Sequence, residues 1–343
     1  MRLNAAVLTL FSLTACSLTL LATSSLAEQQ VLIEHVSFDP ETMELSIHAD
    51  VVDTRGVPIE KLKEDALEFL ASGEKLKYTD IEIQTSQEAG EPIAVCILMN
   101  ASNAYHVQGE GELHSTFDQE KQGVTELIKR LKGNDKVSVL LYREQVTHEV
   151  VYNFASNFSQ AIEAASAAKV PEFDEDPETI GGKQFKKRSL APDALRAIQQ
   201  ALGYMVDKMD DLGSARRRFL IIMSDGKDRE TRKQRLTRKV DRILEKYEEY
   251  KIRIHAIGYT ADDPQYLSIL QGLANGSGGI YQRIDTKDFA QIPAIWDGLA
   301  QRIKKQYIFK LKLDDLPSHG EAIKGKDLAN YIIQLNVTTK DNE

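Results

Sequence analysis

Apolar and polar positions alternate every second residue in VLIEHVSF (31–38), ELSIHADVV (44–52) and LEFLASGEKLKYTDIEIQT (67–85). Asp39-Pro40, Thr54-Arg55-Gly56 and Ser72-Gly73 separate these runs. Period two broken by turn residues predicts a small antiparallel β unit over 28–88. The polar linker SQEAGEP (86–92) follows, and after it the rhythm changes. Short apolar runs at 93–100, 136–142, 146–151, 218–224, 252–259 and 280–284 then alternate with segments whose apolar residues recur three or four apart, at 116–132, 157–169, 191–209, 231–250, 262–274 and 288–304. Strands apolar on both faces, alternating with amphipathic helices, predict a doubly wound, mostly parallel Rossmann-like α/β sheet covered by helices on both sides, over 91–305. Thr116, Asn157 and Asp262 stand where helix N-caps belong.

Beyond the last helical segment the chain returns to period two in QYIFKLKLDD (306–315) and NYIIQLNVTT (330–339). These C-terminal strands, 306–343, are expected to rejoin the N-terminal β unit, so that both chain ends build one antiparallel β domain. Residues 170–188, VPEFDEDPETIGGKQFKKR, have no periodicity and read as a long connection with an acidic and a basic half. Its acidic residues lack the Asp-x-Asp-x-Asp-Gly order of a calcium loop.

The first residues carry Arg2, an apolar stretch from Ala5 to Ala22, and the small-residue site Ser25-Leu26-Ala27. That is the pattern of a secretory signal peptide over 1–27, which implies a periplasmic or secreted protein. Leu13-Thr14-Ala15-Cys16 offers the alternative of a lipobox, with Cys16 lipidated and the protein anchored to the envelope. A net charge of −9 over 343 residues excludes nucleic acid as the expected partner. Without the leader only Cys96 is left, inside IAVCIL, so the chain has no disulfide framework and Cys96 is expected to be a buried small hydrophobe.

Ligands of open α/β sheets bind beyond the carboxyl ends of the strands. Two predicted strands end there in polar residues: ILMNASNAY (97–105), with Asn100, Ser102 and Ala104 in a turn, and RFLIIMSDG (218–226), ending Ser224-Asp225-Gly226. Ser189 to Leu195 leads into the helix between them. On these residues, on IRIHAIGYT and on LSILQGLANGSGGIY, the sequence resembles a von Willebrand factor A (VWA) domain with a degenerate metal-ion-dependent adhesion site. The segment 51–81 is similar to the leader of bacterial exported VWFA-related proteins. The resemblance implies metal positions at Asn100, Ser102, Ser189 and Asp225, with Ala104 where the second serine would stand, and Mg²⁺, Mn²⁺ or Ca²⁺ as the cofactor, held weakly or not at all. It implies partner binding through Asn103, Ala104, Tyr105, His106 and Asp225, and a protein ligand or the subunits of an envelope complex as the partner.

The plainer reading is that Asn100 and Ser102 only satisfy backbone groups in a turn. Ser102, His106 and Asp225 also form a hydrolase triad on paper, but no Gly-x-Ser-x-Gly elbow accompanies them and the chain is not expected to be an enzyme. The basic run from 229 to 239 is interspersed with acids further along the helix and reads first as a solvated face, second as a contact for an acidic partner or lipid headgroups. Two functions of different kinds follow: a binding module working through the strand-end edge, or a structural subunit of a larger envelope assembly with a relic ligand site.

Overall fold

The computed structural model describes residues 6–9, 30–53, 58–102, 116–143, 148–169, 178–180, 183–185, 193–213, 215, 217–226, 228, 232–259, 266–284, 290–314 and 332–337. They fall into two compact units, Met1–Glu91 with Gln301–Glu343, and Pro92–Ala300.

The first unit opens with β1 (Ala6–Thr9), β2 (Gln30–Asp39), β3 (Glu44–Val52), β4 (Leu67–Ala71), β5 (Glu74–Lys75) and β6 (Tyr78–Thr85). Alternation decides which side is buried: Leu45, Ile47 and Ala49 of β3 are inside, and Glu44 between turn and strand is exposed. From the other end of the chain come β15 (Tyr307–Leu313) and β16 (Ile332–Val337). β15 lies antiparallel between β3 and β6, and β16 lies antiparallel between β1 and β4. The two sheets, β2-β3-β15-β6 and β1-β16-β4-β5, share one apolar core in which Phe69, Phe309, Ile47 and Leu335 are buried. Residues 6–9, inside the stretch read as a signal peptide, thus occupy a strand position beside β16.

The second unit runs β7 (Ile93–Asn100), α1 (Thr116–Arg130), β8 (Lys136–Tyr142), β9 (Glu149–Ala155), α2 (Phe158–Ala167), β10 (Glu178–Ile180), β11 (Lys183–Phe185), α3 (Ala194–Asp207), β12 (Arg217–Ser224), α4 (Lys233–Tyr247), β13 (Ile252–Tyr259), α5 (Leu267–Gly276), β14 (Tyr281–Ile284) and α6 (Ile292–Lys304). Its six-stranded sheet has the order β14-β13-β12-β7-β8-β9. All neighbours are parallel except β8 and β9. Every residue of β7 is buried, as a central strand covered on both faces requires. Ala94, Cys96 and Leu98 face α3, α4 and α5, whose apolar stripes complete that core. α1 packs on β7 and against α2, and Trp296 of α6 fills the notch left by Gly123 of α1.

Two sequence expectations are corrected, and a third lies partly outside the described residues. The strand read at 146–151 is the edge strand Glu149–Ala155. Only Phe154 of it is buried, so its burial carries no clean period. The 170–188 connection is not wholly irregular, because β10 and β11 pair antiparallel with Ile180 opposite Lys183. The helix read from 262 is described from Leu267, and Asp262 lies outside the described residues. Asn157 caps α2 as expected, accepting from the Gln160 N–H at 3.2 Å.

Candidate ligand face at the strand ends

From β7 the chain turns to β8 on one side, and later crosses to β12 on the other. The reversal of strand order therefore lies between β7 and β12, the place where open α/β sheets take ligands. Asn100 closes β7 opposite Tyr142, and Asp225 follows the last residue of β12. Topology thus brings Asn100, Ser102 and Asp225 to one edge.

Asn100 is buried, and its side-chain oxygen accepts from the Ser102 N–H at 3.1 Å. This is the turn-closing role of an Asx motif. Ala101 N–H donates to the Tyr142 carbonyl at 2.9 Å, so the strand pairing continues one residue past β7. The Ser102 hydroxyl and the Asn100 amide nitrogen are buried without a hydrogen-bond partner among the described residues.

On the β12 side, the Tyr142 and Ser224 hydroxyls lie 2.7 Å apart, and Ser224 Oγ accepts from the Gly226 N–H at 3.0 Å. Gly226 has φ +73° and approaches the Tyr266 carbonyl too closely for any Cβ, which is why the Ser-Asp-Gly turn ends in glycine. Burial pushes the Tyr142 phenol well above its ordinary value, with the charge of Asp225 adding to the shift, the Ser224 hydrogen bond opposing it and Glu120 contributing further. Asp225 is only 3% exposed. It directly follows β12, whose last six residues are all buried.

Sequence reasoning missed two groups here. Glu120, in the second turn of α1, is completely buried, and neither carboxyl oxygen has a hydrogen-bond partner among the described residues. Burial pushes it well above the carboxylate range, opposed by the nearby backbone N–H of Asn100. Its signal was present in the sequence: Glu120 interrupts the stripe Phe117, Val124, Leu127 at helical spacing. The second group is a carboxyl pair. Asp193 caps α3, accepting from the Arg196 N–H at 3.1 Å, while buried Asp228 accepts from the Leu195 N–H and from Lys239 Nζ, each at 3.1 Å. Burial raises Asp193 above the usual 3.8, and its hydrogen bond to Asp228 raises it further. The two carboxyls lie far apart in the chain, so no local pattern announces the pair, although Asp193 has a local capping role.

Ser189, Asn103, Ala104, Tyr105 and His106 lie outside the described residues, as does Cys16. Cys96 is buried as expected, and burial pushes its thiol up, out of reach of ionisation. Among the described residues no group of three or more His, Cys, Asp or Glu is placed to hold a metal. A hard divalent ion wants near-octahedral oxygen with one or two carboxylates. Asn100, Ser102 and Asp225 supply one carboxylate between them, so these described members of the implied set do not fit such an ion by themselves. No described helix is long and apolar enough to cross a membrane.

Neither a protein-family model nor a curated protein sequence matches the chain. Among solved structures it is similar to BatB from Bacteroides thetaiotaomicron, at 18% identity over 62% of this chain and 100% of that one, with a TM-score of 0.41. It is similar to a von Willebrand factor type A protein from Catenulispora acidiphila, at 15% identity over 68% and 51% of the two chains, TM-score 0.44. The PilB minor pilin of Streptococcus sanguinis is similar at 12% identity over 82% and 80%, TM-score 0.45.

Proposed function

We propose, from the VWA-like fold of residues 92–300, that this chain is an exported, non-enzymatic protein-binding module whose ligand face is the carboxyl end of β7 and β12. The observation that carries this reading is the convergence of Asn100, Ser102 and Asp225 at the reversal of strand order. Loop backbones above these residues and the Asn103 to His106 segment would meet the partner, a protein ligand or an envelope-complex subunit. The leader supports export to the periplasm or beyond, with Cys16 lipidation as the alternative. The strands from both chain ends would form an antiparallel β domain that carries the module. Metal, whether Mg²⁺, Mn²⁺ or Ca²⁺, is not required for this reading.

The burial of Asp225 and the inward hydrogen bond of Asn100 favour a second reading, a structural subunit with a relic site. The test is capture of envelope proteins by the immobilised full chain, in chelator, beside Ser102→Ala, Asp225→Asn and the distant helix-surface variant Arg238→Glu. The module reading expects the two edge variants to lose bound proteins that Arg238→Glu keeps, with melting temperatures unchanged. An identical bound set for all four chains sinks it and favours the structural subunit.

A further inference from the structure

We propose that removal of the leader uncovers the edge of β16, and that the exported chain closes this edge with an extended, uncharged, apolar strand donated by a different protein. The inference rests on the reading of the chain as exported. It goes beyond that reading by assigning a second interaction site, in the unit that contains both chain ends rather than at the carboxyl ends of β7 and β12.

The case begins with a strand built as an interior one. β16 runs Ile332-Ile333-Gln334-Leu335-Asn336-Val337, with no charged residue, no proline and no break in its register with β4. Ile333, Leu335 and Val337 are completely buried in the core shared by the two sheets. Natural edge strands are blunted by charge, proline, bulges or shortness, because an open row of backbone N–H and C=O groups invites pairing with another chain. The far edge of the same sheet obeys this rule: β5 is two residues long, and its Glu74 and Lys75 are both exposed. β16 has none of these devices, and it lies between two neighbours, β4 and β1.

β1, however, consists of residues 6–9, inside the stretch read as a leader. Cleavage after Ala27 removes it, and so does processing at Cys16. After cleavage at Ala27 only Glu28 and Gln29 stand ahead of β2, too few to return as a strand. The vacated seat lies where the two sheets meet, since β1 and β16 both touch β2 of the other sheet. Left empty, it would expose backbone groups of β16 beside the core positions Ile333 and Leu335, so a strand of the same chemistry is needed in its place. The register specifies that chemistry. β1 runs antiparallel to β16, with Ala6 opposite Leu335 and Leu8 opposite Ile333. Residues directly opposite share a face of the sheet, so the incoming strand needs apolar residues at two alternate positions on the core side. The seat is free of charge on both sides, Ala6 to Thr9 and Ile332 to Leu335, which disfavours a charged occupant.

The experiment uses the chain as the cell exports it from the full gene. Intact mass establishes its N-terminus and sedimentation its oligomeric state. Amide exchange over 332–337 is then followed alone, with a synthetic peptide of residues 4–11 (NAAVLTLF), and with the same peptide carrying Val7→Pro and Leu8→Pro. Successive backbone N–H groups point to opposite edges of a strand, so one of the two prolines removes a ladder donor. Expected is a monomer lacking residues 6–9, in which the first peptide slows exchange over 332–337 by about tenfold or more and the proline peptide does not. Equal exchange with and without the first peptide in a processed chain overturns the proposal and leaves the export reading standing. A processed chain that sediments as a dimer overturns it in favour of a second copy on the same edge. Residues 6–9 retained in the mature protein overturn both the proposal and the leader reading, since β1 then keeps its own place.

Discussion

At the scale of single residues, the contacts that matter are those with no slack. Gly123 of α1 lies against the indole of Trp296, and a methyl group there would overlap the ring. Because Trp296 is completely buried, it cannot swing outward without opening the core. Gly123→Ala is therefore expected to lower stability by about 1–3 kcal/mol despite its better helix propensity, as read by denaturant unfolding. An unchanged or raised midpoint would refute the close packing. Asp193 gives a pH-dependent case. Its folded value is raised above 3.8, chiefly by burial and next by Asp228, while Lys239 pulls the other way. A raised acid binds its proton more readily when folded, so its favourable contribution is fully present below 3.8 and is lost as pH rises through the folded value. Asp193→Asn keeps the oxygen that caps Arg196 and removes the ionisable group. It should be more stable than the wild type at pH 7 by a few tenths to about 1 kcal/mol, after allowance for partial exposure, with the advantage vanishing in acid. Thermal melts across that range check it, and a variant that is less stable at neutral pH contradicts the carboxyl pair.

At the scale of elements, the central strands should hold most of the stability of residues 92–300. Ile97 of β7 is completely buried in a strand flanked by β12 and β8, and Ile97→Ala should cost about 2–5 kcal/mol in urea unfolding, against a small effect for an exposed position of α4 such as Arg238→Ala. The same strands were the most legible part of the sequence. The runs at 93–100, 136–142 and 252–259 are β7, β8 and β13 with their expected ends, because a strand buried on both faces has no choice of residue type along its length. Helix ends were less legible: 231–250 is the helix Lys233–Tyr247 followed by a 3-10 turn over Glu248–Tyr250. Edge strand β9 was misplaced because solvent tolerates either residue type there. At the candidate face, Asn100, Ser102 and Asp225 were singled out by the resemblance, and the buried Glu120 was not. A helix pattern is read by its majority, and one acid in the stripe passes as noise until the fold shows it buried.

At the scale of the whole molecule, chain order and spatial order diverge most at β15. This strand pairs with β3 through Phe309 opposite Ile47 and with β6 through Phe309 opposite Ile83, so it is the middle of its sheet although it lies beyond the α/β unit in sequence. Its loss would leave β3 and β6 with unpaired backbone groups on facing sides, and would remove Phe309, Leu311 and Tyr307 from the shared core. The Pro92–Ala300 unit draws no strand from that sheet. A chain ended after Lys305 is therefore expected to lose amide-exchange protection over Glu44–Val52 and Tyr78–Thr85, while Ile93–Asn100 and Arg217–Ser224 stay protected near the level of the full chain. Hydrogen exchange followed by mass spectrometry resolves these peptides separately. Protection lost in all four segments would mean that the two units unfold as one, and protection kept in the first two would mean that β15 is dispensable to its sheet. The expected split would place the stability of the candidate face in the α/β unit alone, so the capture measurement could be read without reference to the strands at the chain ends.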